Sequence, residues 1–407
     1  MHLNVRRNTI LLAAALAVNS CLFQLAAAVN SLTFVAITGI EGLLGLGPAI
    51  FLASSGLAAL PAGRAMDRFG RVPVIAAGFV IAAIGCSLIA LATRTDSTVT
   101  VIAGMALTGA AGGVALLART AAGDMYPPER RARGISYVLF GAVFGAILGP
   151  AVFSPLFAGK TLEAESLTVP WLAAGGIALV ALAIVLFIRP DPKKIAEAIG
   201  AQQSSEPPAP AAPLREILRR PGVVPAMLVA LASFSVMVSV MNLTGYVVVQ
   251  HHHHTQQDVF PIIGAHVLGM YALVLFVGPL IDRVGRSQAL YSGLVLMGLS
   301  CIGLTWFASV IGTAFLLFAL GLGWNVSFVA ATAQLADRAA ASERGRLLGL
   351  NDLLSSLAGA ALALIGGIAL DALGVTALAL GAAAIVLLPL ARLLRRQTPA
   401  TIAPRRT

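Results

Sequence analysis

Long apolar runs separated by short polar breaks dominate this chain. Cutting at the charged and Pro/Gly-rich breaks leaves segments of about 20 residues or more, enough for a helix to cross ~30 Å of hydrocarbon. These segments predict spans near 9–35, 43–63, 73–92, 99–121, 134–157 and 169–188, then near 223–250, 259–281, 288–308, 310–335, 347–370 and 374–392. The first run follows Arg6-Arg7 and looks at first like a secretory signal. It continues to about Val35, too long for a signal-peptide core, and reads as a span. The pattern predicts an all-α polytopic membrane protein of twelve transmembrane helices.

The breaks repeat. Gly63-Arg64-Ala65-Met66-Asp67-Arg68-Phe69-Gly70-Arg71 returns as Gly278-Pro279-Leu280-Ile281-Asp282-Arg283-Val284-Gly285-Arg286, so Asp67 and Asp282 stand 215 positions apart. A second pair, Asp124 to Arg131 and Asp337 to Arg346, has nearly the same offset. The chain therefore divides into related halves, 1–188 and 223–392, each predicted as a six-helix bundle. Parallel repeats about an axis along the membrane normal are a known transporter plan. Between them, 189–222 is Pro/Ala-rich and predicts a cytoplasmic tether without chemistry, and 393–407 is a basic tail.

Composition agrees. The 407 residues are 58% hydrophobic and 11% charged, less than half the charge of a typical soluble protein, so most of this surface needs lipid. The net charge of +10 comes from clusters between apolar runs, which argues for topology signals and against a nucleic-acid partner. With the N-terminus inside, the outer loops hold only Arg94 and Lys160, while Arg6, Arg7, both repeated loops, Arg130, Arg131, Arg133, Arg344 and Arg346 fall inside. Both termini are expected in the cytoplasm of a bacterial inner membrane. Cys21, Cys86 and Cys301 lie in apolar stretches, where neither a disulfide framework nor a zinc site is expected.

The repeated loops and the twelve apolar segments resemble the major facilitator superfamily of secondary transporters. Its signature loop is matched at Gly63, Asp67, Arg68, Gly70 and Arg71, and a weaker copy at Gly278, Asp282, Arg283, Gly285 and Arg286. The resemblance implies two bundles related by a pseudo-two-fold axis, with this loop as a conformational latch. It implies that Asp67 faces the start of span 11 near Gly345–Leu348 and that Arg71 pairs with Asp124. The second half repeats this, with Asp282 near the start of span 5 and Arg286 with Asp337. In span 5, Gly141, Gly145, Gly149 and Pro150 are similar to a motif of the family's proton-coupled drug exporters. One departure stands out: Met105 holds the place before Gly109 where those exporters carry an arginine, and the basic residue of this span is Arg119.

Ionisable groups inside spans are costly and point to function. Asp352 is the sharpest candidate, accompanied by Asn351, Ser355 and Ser356, and able to bind a proton or cation or to pair with Arg119. His251, His252, His253 and His254 close span 7, followed by Asp258, and His266 lies inside span 8. That cluster predicts a metal site, a proton relay or a hydrated loop. By the resemblance, spans 1, 4, 7 and 10 line a cavity, where Asn19, Gln24, Asn30, Asn242, Tyr246, Trp324, Asn325 and Gln334 are the polar candidates. No Walker motif, HExxH or nucleophile elbow is present, so no enzyme activity and no cofactor are expected. The expected function is proton-coupled efflux of a small amphipathic or neutral compound by a monomer. Transport of a transition metal or metal chelate, or a non-transporting sensor, are the alternatives.

Overall fold

The computed structural model describes residues 2–126, 131–159, 163–203, 212–339 and 341–397. Among them there are helices and short connections and no strand. The order is α1 (His2–Thr38), α2 (Leu46–Phe69), α3 (Arg71–Thr95), α4 (Thr98–Leu116), α5 (Ala118–Asp124), α6 (Arg131–Phe157) and α7 (Thr168–Leu186). After α8 (Pro192–Gln203) and α9 (Leu214–Arg219) come α10 (Val223–Tyr246), α11 (Gln256–Tyr271), α12 (Val274–Val284), α13 (Arg286–Gly303), α14 (Val310–Asp337) and α15 (Ala341–Gln397). In hydrocarbon every backbone N–H and C=O must be satisfied within the chain, so apolar runs of this length become helices whatever their local propensities.

Among the described residues ten helices are long and apolar enough to cross a membrane. The sequence predicts twelve, and the two differences have physical causes. Helix α13 opens on Arg286-Ser287-Gln288, which dilutes its apolar character over only 18 residues. Leu347–Leu390 forms one apolar stretch of 44 residues, interrupted at Gly374, where φ is +80°. At 1.5 Å per residue that stretch is ~66 Å long, about twice a hydrocarbon core. Twelve crossings therefore require two within Leu347–Leu390 and one from α13.

In the N-terminal half α1 packs on α6 and α7, α2 on α4, and α3 on α4 and α7. In the C-terminal half α10 packs on α14 and α15, and α14 on α11 and α13. The Gly141, Gly145 and Gly149 series has a local role: it lets α6 lie against α1. A β-carbon at these positions would come within 2.8 Å of Ala13 C, 2.5 Å of Ala17 O and 2.7 Å of Gln24 Cδ.

The halves meet through α1 with α10, α2 with α15, and α6 with α11. These contacts close the end of the molecule where α1 finishes. Leu32, Leu44, Leu243, Tyr246, Val247 and Leu370 are buried together there. Gly245 of α10 lies against Ala28 of α1, and Gly45 lies against Ala363 of α15, each too close for a β-carbon. Phe260 of α11 packs on Phe153 and Phe157 of α6 with ring centres 5.9 and 5.3 Å apart. At the opposite, arginine-rich end, β-carbons at Gly63 of α2 and Gly349 of α15 would find open space within 4 Å. The two helices touch from Gly45 and Ala363 as far as Gly56, where a β-carbon would lie 2.8 Å from Ser356 Cβ.

The stretch between the halves is more ordered than a plain tether. Its described parts form α8 and α9, which bury Ile195 against the N-terminal half and Ile217 against α10, α14 and α15. The three cysteines are buried and unpaired.

Candidate functional site

Near the arginine-rich end an ion pair joins the halves. Arg119 on α5 donates Nη2 to Asp352 Oδ2 on α15. The break between α4 and α5 at Leu117 separates this last helical segment of the span from α4. Both side chains are about one-third exposed, 34% and 35%, so water reaches the pair. Beside Asp352, Asn351 is fully buried with neither amide atom hydrogen-bonded to protein, and Ser355 Oγ likewise lacks a protein partner.

An aromatic cluster joins α10, α11 and α14 through Tyr271 at the end of α11. Its ring meets Trp324 of α14 edge-on at 6.1 Å, Trp324 stacks on Phe328 at 5.2 Å, and Phe328 meets Phe234 of α10 at 5.8 Å. Trp324 Nε1 has no protein acceptor. Neither has Asn30 of α1 any protein partner for its amide, although it is fully buried. Buried polar groups are nearly always hydrogen-bonded, and leaving one unmade costs ~1–3 kcal/mol. Neutral donors and acceptors on α1, α14 and α15 that no protein group satisfies are what a ligand cavity supplies.

Other expected residues take different places. Gln24 Nε2 donates to Gly145 O at 2.5 Å, and Asn325 Nδ2 donates to Met270 O at 2.5 Å; the carbonyl oxygen of each amide has no protein partner. Asn19 is half-buried on α1. Asn242 Nδ2 donates to Val238 O of its own helix at 2.7 Å, and the backbone carbonyl of Asn242 accepts from Ser31 Oγ across the seam at 3.3 Å. Tyr246 is buried at the closed end. Gln334 donates to Gly222 O at 3.3 Å and lines an open cleft of about 390 Å³ with Arg286, Ser287, Asp337 and Arg338.

The histidines do not converge. His266 is fully buried and its Nδ1 bonds Leu317 O at 2.7 Å, linking α11 to α14 inside one half. His251 lies against Tyr246, His254 bonds Ala308 O at 2.8 Å, and His253 has a left-handed φ of 57°. Asp258 is occupied as capping partner of Thr255 at 2.5 Å. Among the described residues no three His, Cys, Asp or Glu side chains are grouped to hold a metal ion.

The two copies of the repeated loop differ in tightness. Arg71 Nε reaches Asp124 Oδ2 at 2.7 Å with side chains 12% and 20% exposed, whereas Arg286 and Asp337 are 3.4 Å apart and 35% and 58% exposed. Arg68 stacks on Phe69, with 5.2 Å from its guanidinium carbon to the ring centre, and Arg283 is exposed. The side chains of Asp67 and Asp282, and Gly278, lie outside the described residues. Sequence reading missed two carboxylates here. Asp191 caps the start of α3, and Glu343, 3% exposed, takes Arg220 in a two-point pair at 2.6 and 2.9 Å. An Asp between two prolines just after a span, and a Glu opening the second repeat, were the available signals. Glu343 raises the pKa of Arg220 above its ordinary value, chiefly through the hydrogen bond between them.

A family model described as Major Facilitator Superfamily matches residues 12–360 and 250–407. The chain belongs to the major facilitator superfamily. It is 31% identical over 363 residues to an uncharacterized MFS-type transporter, YdeG, of Bacillus subtilis, covering 86% of this chain and 83% of that one. It is 28% identical over 358 residues to the riboflavin transporter RfnT of Brucella anthropi, covering 86% and 85%. Among solved structures, the xylose transporter XylE from E. coli in a partially occluded inward-open conformation superposes with a TM-score of 0.73 at 14% identity, covering 97% and 99%. The human organic anion transporter MFSD10 superposes at 0.64 with 18% identity, covering 95% and 98%. As a superfamily member the chain is a multi-pass membrane transporter and not an enzyme.

Proposed function

We propose that this transporter is a twelve-span monomer with two six-helix halves, 1–188 and 223–392, and both termini in the cytoplasm. It couples proton movement to efflux of a small amphipathic compound by alternating access. The observation that carries this reading is the Arg119–Asp352 pair, which bridges the halves where water can reach it. With Asp352 ionised, the two side chains attract across the seam. Protonation of Asp352 removes that attraction and leaves Arg119 able to bind a polar group of the substrate. Proton and substrate thus act on one pair, and the pair acts on the seam between the halves. Burial of both halves together at the end where α1 finishes fits a cytoplasm-facing state. The latch pairs, Arg71–Asp124 and Arg286–Asp337, lie on this same side and would tighten when it closes.

The aromatic cluster narrows the substrate class. Rings at Tyr271, Trp324, Phe328 and Phe234 beside unpaired amides suit a planar heteroaromatic compound, and the riboflavin transporter relative makes riboflavin the first probe. The test is flux of riboflavin and of a panel of small amphipathic compounds in proteoliposomes with an imposed pH gradient. Gradient-dependent flux supports a coupled transporter; no flux of any compound would favour a sensor. Trp324→Phe keeps an aromatic ring but loses the indole N–H, and should raise the riboflavin dissociation constant about tenfold. The metal reading has no grouped ligands to support it among the described residues.

A further inference from the structure

The first turn of α3 is capped by a carboxylate from far along the chain. Asp191 Oδ1 accepts the backbone N–H of Arg71 at 3.1 Å, and Oδ2 accepts that of Val72 at 2.8 Å. Amides at a helix start have no acceptor within the helix, and the positive end of the helix dipole favours an anion there. Asp191 is itself held, because Oδ1 also accepts the N–H of Lys193 at 2.8 Å. A β-carbon on Gly70 would lie 2.8 Å from Asp191 Oδ2, and Gly70 has φ of +101°. Gly70 therefore serves twice, by adopting a left-handed backbone and by leaving room for this carboxylate.

Arg71 grows from that fixed turn. Its Nε reaches Asp124 at 2.7 Å and its Nη1 reaches Met66 O at 2.9 Å. Just before Asp191, Arg189 O accepts from Arg7 at 2.7 Å and Pro190 O accepts from Asn8 at 3.0 Å. One short network thus joins the ends of α1, α2, α3, α5 and α7 into a single rim. The second copy is built otherwise: Gly285 has φ of +91°, and a β-carbon there would meet nothing within 4 Å. Among the described residues no carboxylate stands there as Asp191 does at Gly70.

We infer that Asp191 is a positioning residue for the transport cycle. It fixes the Gly63–Arg71 loop to its own half and so sets how readily the arginine-rich end closes, without touching substrate. This inference rests on the alternating-access reading.

The reporter is maleimide labelling of Gly63→Cys in the full-length protein, where the native cysteines are buried. Asp191→Ala should change the labelling rate about fivefold, the scale of one lost net hydrogen bond. Asp191→Asn, which keeps an acceptor oxygen, should restore part of it. Trp171→Phe loses a 3.1 Å bond to Thr33 elsewhere in the same half. It should lower the melting temperature and leave the rate alone. Gly70→Ala should cost less melting temperature in the Asp191→Ala background than in the parent. Equal rates for parent and Asp191→Ala, or an equal change in Trp171→Phe, would overturn the inference. If Arg119→Ala shifts the rate and Asp191→Ala does not, this inference fails alone. If neither shifts it, the two-state reading fails as well.

Discussion

Gly245 offers a direct handle on the closed end. A β-carbon there would lie 2.9 Å from Ala28 C and nearer still to its oxygen, while ordinary contact begins near 3.4 Å. The carbonyl carbon alone demands about 0.5 Å of separation between α1 and α10, and the oxygen demands more. A backbone carbonyl cannot turn aside as a flexible side chain can. Overpacking of this kind costs ~1–3 kcal/mol, which is ~5- to 150-fold in a two-state ratio. In Gly245→Ala that cost falls only on conformations in which the two halves touch here, so the population moves toward opening at this end. Gly269 is a matched control: a β-carbon would lie 2.9 Å from Phe318 C, but α11 and α14 belong to one half. Gly269→Ala should lower the melting temperature without changing the population. Spin labels at Ile40 and Thr255, one on each half near the closed end, report the separation by pulsed electron resonance. Gly245→Ala should move weight to longer distances and Gly269→Ala should not. An unchanged distance distribution in Gly245→Ala, with a melting loss like that of Gly269→Ala, would refute the reasoning.

Two further outcomes follow from charges outside the spans. Arg220→Ala leaves Glu343 buried without its two-point partner and should lower the melting temperature more than Arg286→Ala, whose pair is longer and exposed; equal losses would contradict this. His252 is held below the ordinary imidazole value by burial and then by His254, His251 and His253. The unfolded chain therefore takes up a proton that the folded chain resists, so this contribution is whole above about pH 6.5 and declines as pH falls below it. His252→Phe should flatten the acid side of the melting-temperature profile between about pH 7 and 5; an unchanged slope would contradict the assignment.

The halves and their breaks were legible because lipid imposes one rule, long apolar helices, on most of the chain. Arg71–Asp124 and Arg286–Asp337 were expected through the family resemblance that the repeated phrase carries, and both pairs are present. Asp352 announced itself as a carboxylate in an apolar run, and Arg119 as the basic residue of its own span. His266 and Asn242 each bond a carbonyl oxygen, which the sequence does not show, because a polar side chain inside a helix looks the same whether it faces a cavity or a neighbouring carbonyl. The aromatic cluster was hidden because Phe234, Tyr271 and Phe328 are unremarkable in apolar helices until packing brings them to Trp324. Asp191 lay outside reach for another reason: its partners are backbone amides 120 and 119 residues away, which leave no mark on side-chain pattern.

The Arg119–Asp352 pair is tested most directly by comparing the parent with Asp352→Asn in proteoliposomes loaded with riboflavin under an imposed pH gradient. On the proposed function, the parent should move riboflavin against its concentration gradient. Asp352→Asn should still exchange it across the membrane but should no longer respond to the pH gradient. Gradient-driven movement by Asp352→Asn equal to the parent, with the same pH profile, would contradict the assignment of Asp352 as the coupling residue.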